Sequence, residues 1–299
     1  ALLGQDGTDR LDLKIARAAL AEMRNAFKLF ADYADTPKVT IFGSARTRAD
    51  DPLYAQTHDV AAALAAAGWM VVTGAGPGIM QAAMEGAGRE HSIGVSIRLP
   101  FETRANDVIN NDPKHVSMKY FFTRKLMLVK ESKGFVSVPG GFGTLDETLE
   151  LLTLQQTGKA EPMPIVLLDV PGGTYWQSFA RFVADELQTR GLVSDHDLQR
   201  VLITDSVHDA VAEILGFWRN YHSLRWVGKR LVLRLQHAPT DAELAALNER
   251  FAPMLAEGTI ERTAPVGPEL SSRDHLELPR VAMVWKPTAV GDLHQLIRA

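Results

Sequence analysis

Two stretches of the chain carry glycines at spacings suited to holding a ligand: Thr73-Gly74-Ala75-Gly76-Pro77-Gly78-Ile79-Met80 and Pro139-Gly140-Gly141-Phe142-Gly143-Thr144-Leu145-Asp146-Glu147. A third turn, Gly43-Ser44-Ala45-Arg46, joins a small hydroxyl to a cation. Each follows a short apolar run, and the two longer ones feed a helical segment. Glycine there lets the backbone approach a ligand closely, and the unpaired N–H groups and dipole at a helix start favour an anion, with phosphate the natural guest. A tight strand-to-helix turn wants glycine for its own sake, so one such turn says little. Two of them, with Ser44 and Thr144 close by, favour binding. Gly74, Gly76 and Gly78 spell G-x-G-x-G where the dinucleotide fingerprint needs G-x-G-x-x-G, and no G-x-x-x-x-G-K-[ST] occurs. A standard NAD site and a P-loop are therefore set aside, leaving a mononucleotide or a sugar phosphate.

Charged side chains near these turns have two readings. Thr144 and Glu147 fit a capping box, with Thr at the N-cap and Glu at N3. Glu147 can equally face a sugar bound at the same helix start and stabilise positive charge at its anomeric carbon, and one role does not exclude the other. Arg124, Lys125 and Lys130 lie on a largely apolar helix just before the strand that leads to Pro139. By themselves they read as a solvated face. Asp195-His196-Asp197 reads as a solvated turn, and neither H-E-x-x-H nor G-x-S-x-G is present. No metal site is expected.

The elements that must position these groups alternate. Short β-branched or apolar runs lie at Val39 to Phe42, Met70 to Thr73, Gly94 to Leu99, Phe135 to Val138, Ile165 to Asp169 and Val201 to Thr204. Helical segments are expected at about Pro52 to Ala67, Ile79 to Arg89, Tyr120 to Ser132, Leu145 to Thr157, Tyr175 to Thr189 and Val207 to Tyr221. Such alternation predicts an α/β fold, a doubly wound, Rossmann-like parallel sheet covered on both faces, with ligands beyond the carboxyl ends of the strands. Ahead of it, Leu13, Ala16, Leu20, Met23, Phe27 and Phe30 are spaced 3, 4, 3, 4, 3, which makes about Asp9 to Tyr33 an amphipathic helix that covers the main domain or meets another subunit. After about Ser223 a strand at Leu231 to Leu235, a helix at Asp241 to Met254 opened by Thr240, and strands at Thr259 to Arg262 and Val281 to Trp285 form a small α+β appendage, with Gly267 to Arg280 a loop. The expected division is 1–36 helical extension, 37–222 catalytic domain and 223–299 appendage.

Composition excludes several classes. The 299 residues hold 32 Lys+Arg and 36 Asp+Glu, a net charge of 32 − 36 = −4, and no cysteine. Thiolate metal sites, cysteine nucleophiles and disulfides are ruled out, and a cytoplasmic setting is the default. There is no secretory pattern at the start of this sequence and no run of about 18 uncharged apolar residues, so neither secretion nor a membrane is expected. Near-balanced charge argues against nucleic acid as a partner.

Together these residues resemble the Lonely Guy family, whose members cleave the N-glycosidic bond of nucleoside 5′-monophosphates. The hallmark P-G-G-x-G-T-x-x-E is complete at Pro139 to Glu147, the R-K pair stands at Arg124-Lys125, and T-G-x-G-P-G-I-M at Thr73 to Met80 has Ala75 where many relatives have glycine; Gln81 follows where many have glutamate. The resemblance covers roughly Lys38 to Tyr221. It implies a phosphoribohydrolase that needs no cofactor and acts on AMP or a cytokinin riboside monophosphate. It implies Arg124 and Glu147 as the catalytic pair and Gly140, Gly141, Gly143 and Thr144 as the phosphate binders; Gly43, Ser44, Gly74, Gly76, Gly78 and Lys125 complete the expected binding set. A homodimer or higher homo-oligomer is also implied. Glycosidases usually protonate the leaving group with a second acid, and the sequence identifies none; Arg124, permanently charged, is not one. The family's other label, lysine decarboxylase, needs pyridoxal phosphate on a lysine, and no lysine here has that setting. A different class using the same loops would be a nucleotide or molybdenum-cofactor carrier.

Overall fold

The computed structural model describes residues 2–100, 104–194, 196–286 and 290–299; Asp195 of the Asp195-His196-Asp197 turn lies outside them. A seven-stranded sheet contains β1 (Lys38–Phe42), β2 (Met70–Thr73), β3 (Ser92–Ile97), β4 (His115–Met118), β5 (Gly134–Ser137), β6 (Ile165–Leu168) and β7 (Val201–Thr204), in the order β4-β3-β2-β1-β5-β6-β7. Neighbours from β4 to β5 pair in parallel. Strands β1, β2, β5 and β6 are buried along their whole length, as a sheet covered on both faces requires. The winding reverses between β1 and β5, which puts a topological switch point at their carboxyl ends.

The helices are α1 (Leu2–Gln5), α2 (Arg10–Ala31), α3 (Pro52–Ala66), α4 (Ile79–Ala87), α5 (Phe121–Lys130), α6 (Phe142–Gln156), α7 (Tyr175–Phe182), α8 (Val207–Phe217), α9 (Asp241–Phe251), α10 (Gly267–Ser272) and α11 (Val290–Arg298). Among the described residues, no helix is long and apolar enough to cross a membrane. The predicted α/β fold is present, with one strand more than expected: β4, whose His, Ser and half-buried edge position lack the apolar run of an inner strand. Helix α2 is rotated from its expected orientation. Its buried face is Ala19, Glu22, Ala26 and Phe30, whereas Leu20 and Phe27 of the apolar stripe are exposed. Glu22 is drawn inward because its carboxylate accepts from the Lys119 N–H and the Thr123 hydroxyl, both at 2.8 Å, at the start of α5.

The chain divides into two compact units, 1–151 with 166–176 and 203–211, and 152–165 with 177–202 and 212–299. In the second, β8 (Tyr221–Val227), β9 (Arg230–Leu235), β10 (Leu255–Arg262) and β11 (Arg280–Trp285) form an antiparallel sheet in the order β10-β11-β9-β8. Its core gathers Phe217, Tyr221, Phe251, Trp285 and Leu293, among others. The Thr240 opening of α9 is a full capping box with Glu243. The segment Gly267 to Arg280 is not all loop: Pro268 stands in the first turn of α10, which carries the wholly buried Glu269 between Arg234 (2.8 Å) and Arg280 (2.9 Å).

His294 on α11 is buried against Phe217, with Arg200 and Arg298 nearby, and burial first, then the two cations, push its pKa down from 6.5 to about 3. Between those values the unfolded chain binds a proton that the folded one does not, so the contribution to stability is full above about pH 6.5 and is lost as pH falls towards 3. Urea midpoints measured from about pH 7.5 to about pH 5 are expected to fall, and to fall less in His294→Leu; equal slopes in the two proteins would contradict this.

Candidate active site

A cleft of about 1690 Å³ opens at the carboxyl ends of the central strands, at the switch point. Its walls include Gly43, Ser44, Gly74, Gly76, Arg124, Gly140, Gly141, Gly143, Thr144 and Glu147, ten of the twelve residues singled out in the sequence. Gly78 and Lys125 are not in its lining. Gly78, at φ +66°, lets the turn after β2 lie on the turn after β1: a Cβ there would stand 2.5 Å from the Ser44 carbonyl oxygen. Lys125 faces α6, its ammonium 2.8 Å from Asp146 and from Glu150 and 3.7 Å from Glu147.

Helix α6 begins at Phe142, and the Gly141 carbonyl accepts the Leu145 N–H at 3.1 Å. Thr144 therefore lies inside the first turn and Glu147 in the second, so the two do not form the capping box that their spacing suggests. The three glycines around Phe142 hid the start. Thr144 instead sets its hydroxyl under Gly140, where a Cβ would collide with it. The N–H groups of the first turn have no partner within the helix, and the helix dipole adds positive potential at this end of the cleft.

Arg124 is aimed by its surroundings. Helix α5 is tied at its start by Glu22, the Arg124 Nε donates to the Val95 carbonyl at 3.1 Å, and a Cβ on Gly74 would strike the guanidinium. Gly74 is thus a space for a side chain as well as a turn residue. Ala75 holds a left-handed backbone, φ +58°, with its N–H on the Thr73 hydroxyl at 3.0 Å; that conformation costs alanine about 1–2 kcal/mol that glycine would not lose. The Gln81 amide donates to Glu85 at 2.8 Å and is absent from the lining.

Glu147 is only 6% exposed, and its Oε2 is buried without a hydrogen-bond partner. Burial raises its pKa from 4.5 to about 7, against the pull of Lys125 and Arg124 and with a push from Glu150 and Asp146. Burial also works against the Lys125 ammonium, but its bonds to Asp146 and Glu150 outweigh that and hold its pKa above the ordinary value. A carboxyl poised near neutrality in a cleft, beside a fixed guanidinium, is suited to acid–base work and to stabilising a cation.

Sequence reasoning missed two cleft residues. His115, on the unread strand β4, has Nε2 2.8 Å from the Ser96 hydroxyl, and burial holds its imidazole below the ordinary range. Tyr175 follows β6, and its hydroxyl donates to the Gly140 carbonyl at 2.7 Å. Gly172-Gly173 before it marks another glycine turn at a carboxyl end, the signal that could have found it. Among the described residues no cluster of three or more His, Asp or Glu could hold a metal ion.

A doubly wound parallel sheet with a helix start and a buried carboxylate at its switch point defines a Rossmann-like α/β class of fold. Within it, residues 78–214 match the family described as "Possible lysine decarboxylase". The chain is 31% identical over 155 residues to a cytokinin riboside 5′-monophosphate phosphoribohydrolase of Mycobacterium marinum, covering 51% of this chain and 80% of that protein. It is 30% identical over 169 residues to an Oryza sativa subsp. japonica relative named "Probable cytokinin riboside 5′-monophosphate phosphoribohydrolase", covering 55% and 76%. A solved structure of the molybdenum cofactor carrier protein from Chlamydomonas reinhardtii matches with a TM-score of 0.42 and 22% identity, over 59% of this chain and 94% of that one. The chain belongs to the Lonely Guy family.

A raised acid pKa costs stability as pH climbs: the Glu147 contribution is full below about 4.5 and lost as pH rises to about 7. Glu147→Gln, of the same shape and uncharged, is expected to melt higher than wild type at about pH 8, by something on the order of 1–3 kcal/mol, and to match it near the ordinary carboxylate pKa. A variant less stable than wild type at the higher pH would contradict the burial of this charge.

Proposed function

We propose that this protein hydrolyses the N-glycosidic bond of a nucleoside 5′-monophosphate, AMP or a cytokinin riboside monophosphate, to free base and ribose 5-phosphate. The observation that carries the reading is Glu147, a buried carboxyl with one oxygen that lacks a hydrogen-bond partner and has the Lys125 ammonium 3.7 Å away, on the second turn of the helix whose first turn offers its N–H groups to a phosphate. The names of the relatives from Mycobacterium marinum and rice support the same activity.

The phosphate is held by Gly140 to Thr144, with Ser44 and the Gly43, Gly74 and Gly76 backbones closing the other side. A 5′-phosphate on the first turn of α6 sets the ribose towards Glu147. As the C1′–N bond breaks, its electron pair leaves with the base and positive charge grows on the ribose, where the ionised carboxylate stabilises it. Water adds to C1′ and gives its proton to Glu147, and the pKa near neutrality lets that proton pass on to the departed base. One carboxyl then serves where a glycosidase uses two, which accounts for the missing second acid. Arg124 contributes a fixed positive charge that positions the substrate.

A homo-oligomer belongs to this proposal. Phe121, Phe122 and Leu126 on α5 and Phe142 and Leu149 on α6 are exposed, Phe142 by 94%, and a second copy would cover them. The size of the cleft favours one alternative, carriage of a larger phosphorylated ligand.

Incubation with AMP, with adenine and ribose 5-phosphate measured, is expected to show turnover that drops about 10³-fold in Glu147→Gln. The kcat/KM profile should fall below about pH 7 as the carboxylate is protonated, and Lys125→Met, which removes a charge that favours ionisation, should move that limb to higher pH. Tight nucleotide binding with no base released across a panel of monophosphates would replace the enzyme by the carrier.

A further inference from the structure

The turn after β6 touches the anion-binding turn after β5 through one hydroxyl. Tyr175 donates from its phenol to the Gly140 carbonyl at 2.7 Å. The ring itself is fixed: Trp176 meets it edge-on, centroids 4.8 Å apart at 86°, and the Trp176 indole donates to the Leu168 carbonyl at 3.2 Å. Its backbone is fixed as well. The buried Asp169 carboxylate accepts the Tyr175 N–H and the Val170 N–H, each at 2.9 Å, and Gly173 leaves the space that this carboxylate fills. Nothing in the proposed chemistry calls on this assembly.

The bond falls on the peptide between Gly140 and Gly141. In a planar trans peptide the C=O and the N–H point in opposite directions, so whatever holds the Gly140 carbonyl also aims the Gly141 N–H. With glycine on both sides, that peptide has more rotational freedom than any other pair of residues would give it. We propose that Tyr175 is a positioning residue, a latch that keeps the Gly140–Gly141 peptide in the one orientation in which the Gly141 N–H faces an oxyanion at the start of α6. It takes no part in bond cleavage. The inference rests on the reading of this turn as the phosphate site, and it assigns to the β6–α7 turn the task of organising that site before the ligand arrives.

Tyr175→Phe removes only the hydroxyl and leaves the ring against Trp176. With AMP as substrate, KM and the inhibition constant of inorganic phosphate are expected to rise together about three- to tenfold, the worth of one hydrogen bond, with kcat within error of wild type and the melting temperature lowered by no more than a few degrees. An unchanged phosphate inhibition constant overturns the latch, and so does a loss of kcat and melting temperature without a change in phosphate affinity, which would mark Tyr175 as structural. If the wild type releases no base, calorimetry with inorganic phosphate and AMP takes over: weaker binding to Tyr175→Phe sustains the latch while the hydrolase reading falls. A wild type that binds neither ligand overturns both.

Discussion

The site depends on keeping one carboxyl, that of Glu147, out of water without giving it a full set of partners. A buried acid with an oxygen short of a hydrogen bond is destabilising, and a fold tolerates it only where neighbouring charge holds it in check. Lys125 and Arg124 supply that charge from α5, and several contacts in the first unit hold α5 and α6 in place. Glu22 reaches from the N-terminal helix to tie the start of α5. Gly74 gives the Arg124 guanidinium its room, and the Val95 carbonyl sets its angle. On the other side, Thr148 anchors α6 to β5 through the Ser137 hydroxyl at 2.9 Å.

By this arrangement the leading helix is tied to the helix that carries Arg124 and Lys125. Its apolar stripe suggested a cover over the domain or a contact between subunits, yet the residue that matters most on it is an acid. Glu22 satisfies donors at the start of the helix that carries Arg124 and Lys125, so α2 is joined to that helix through a cap. The exposed Leu20 and Phe27 follow from the same rotation.

What was legible in the sequence follows from what leaves a local trace. Inner strands such as Val39 to Phe42 and Met70 to Thr73 are uninterrupted apolar runs because both faces are covered, and the glycine turns at their ends are visible for the same reason. Ten of the twelve candidate residues meet in one cleft because a doubly wound sheet gathers all its carboxyl-end turns on one side. Edge strands β4 and β8 left no such trace, since polar residues such as His115, Ser117, His222 and Arg225 interrupt them. The start of α6 lies at Phe142 and not at Leu145, because glycine at 140, 141 and 143 masks the helix that Phe142 begins. Lys125 looked like a phosphate ligand by its place in a motif, but its ion pairs cross to another helix, which sequence spacing does not reveal. The pKa of Glu147 and the Tyr175 bond are likewise products of packing between distant segments.

If the first turn of α6 holds a phosphate so that Glu147 meets the anomeric carbon, a crystal structure of the Glu147→Gln protein with AMP will have the 5′-phosphate on the Gly141 to Thr144 N–H groups and the substituted side chain at position 147 in contact with the ribose C1′ face. Phosphate bound elsewhere in the cleft, or a ribose turned away from position 147, would contradict that placement.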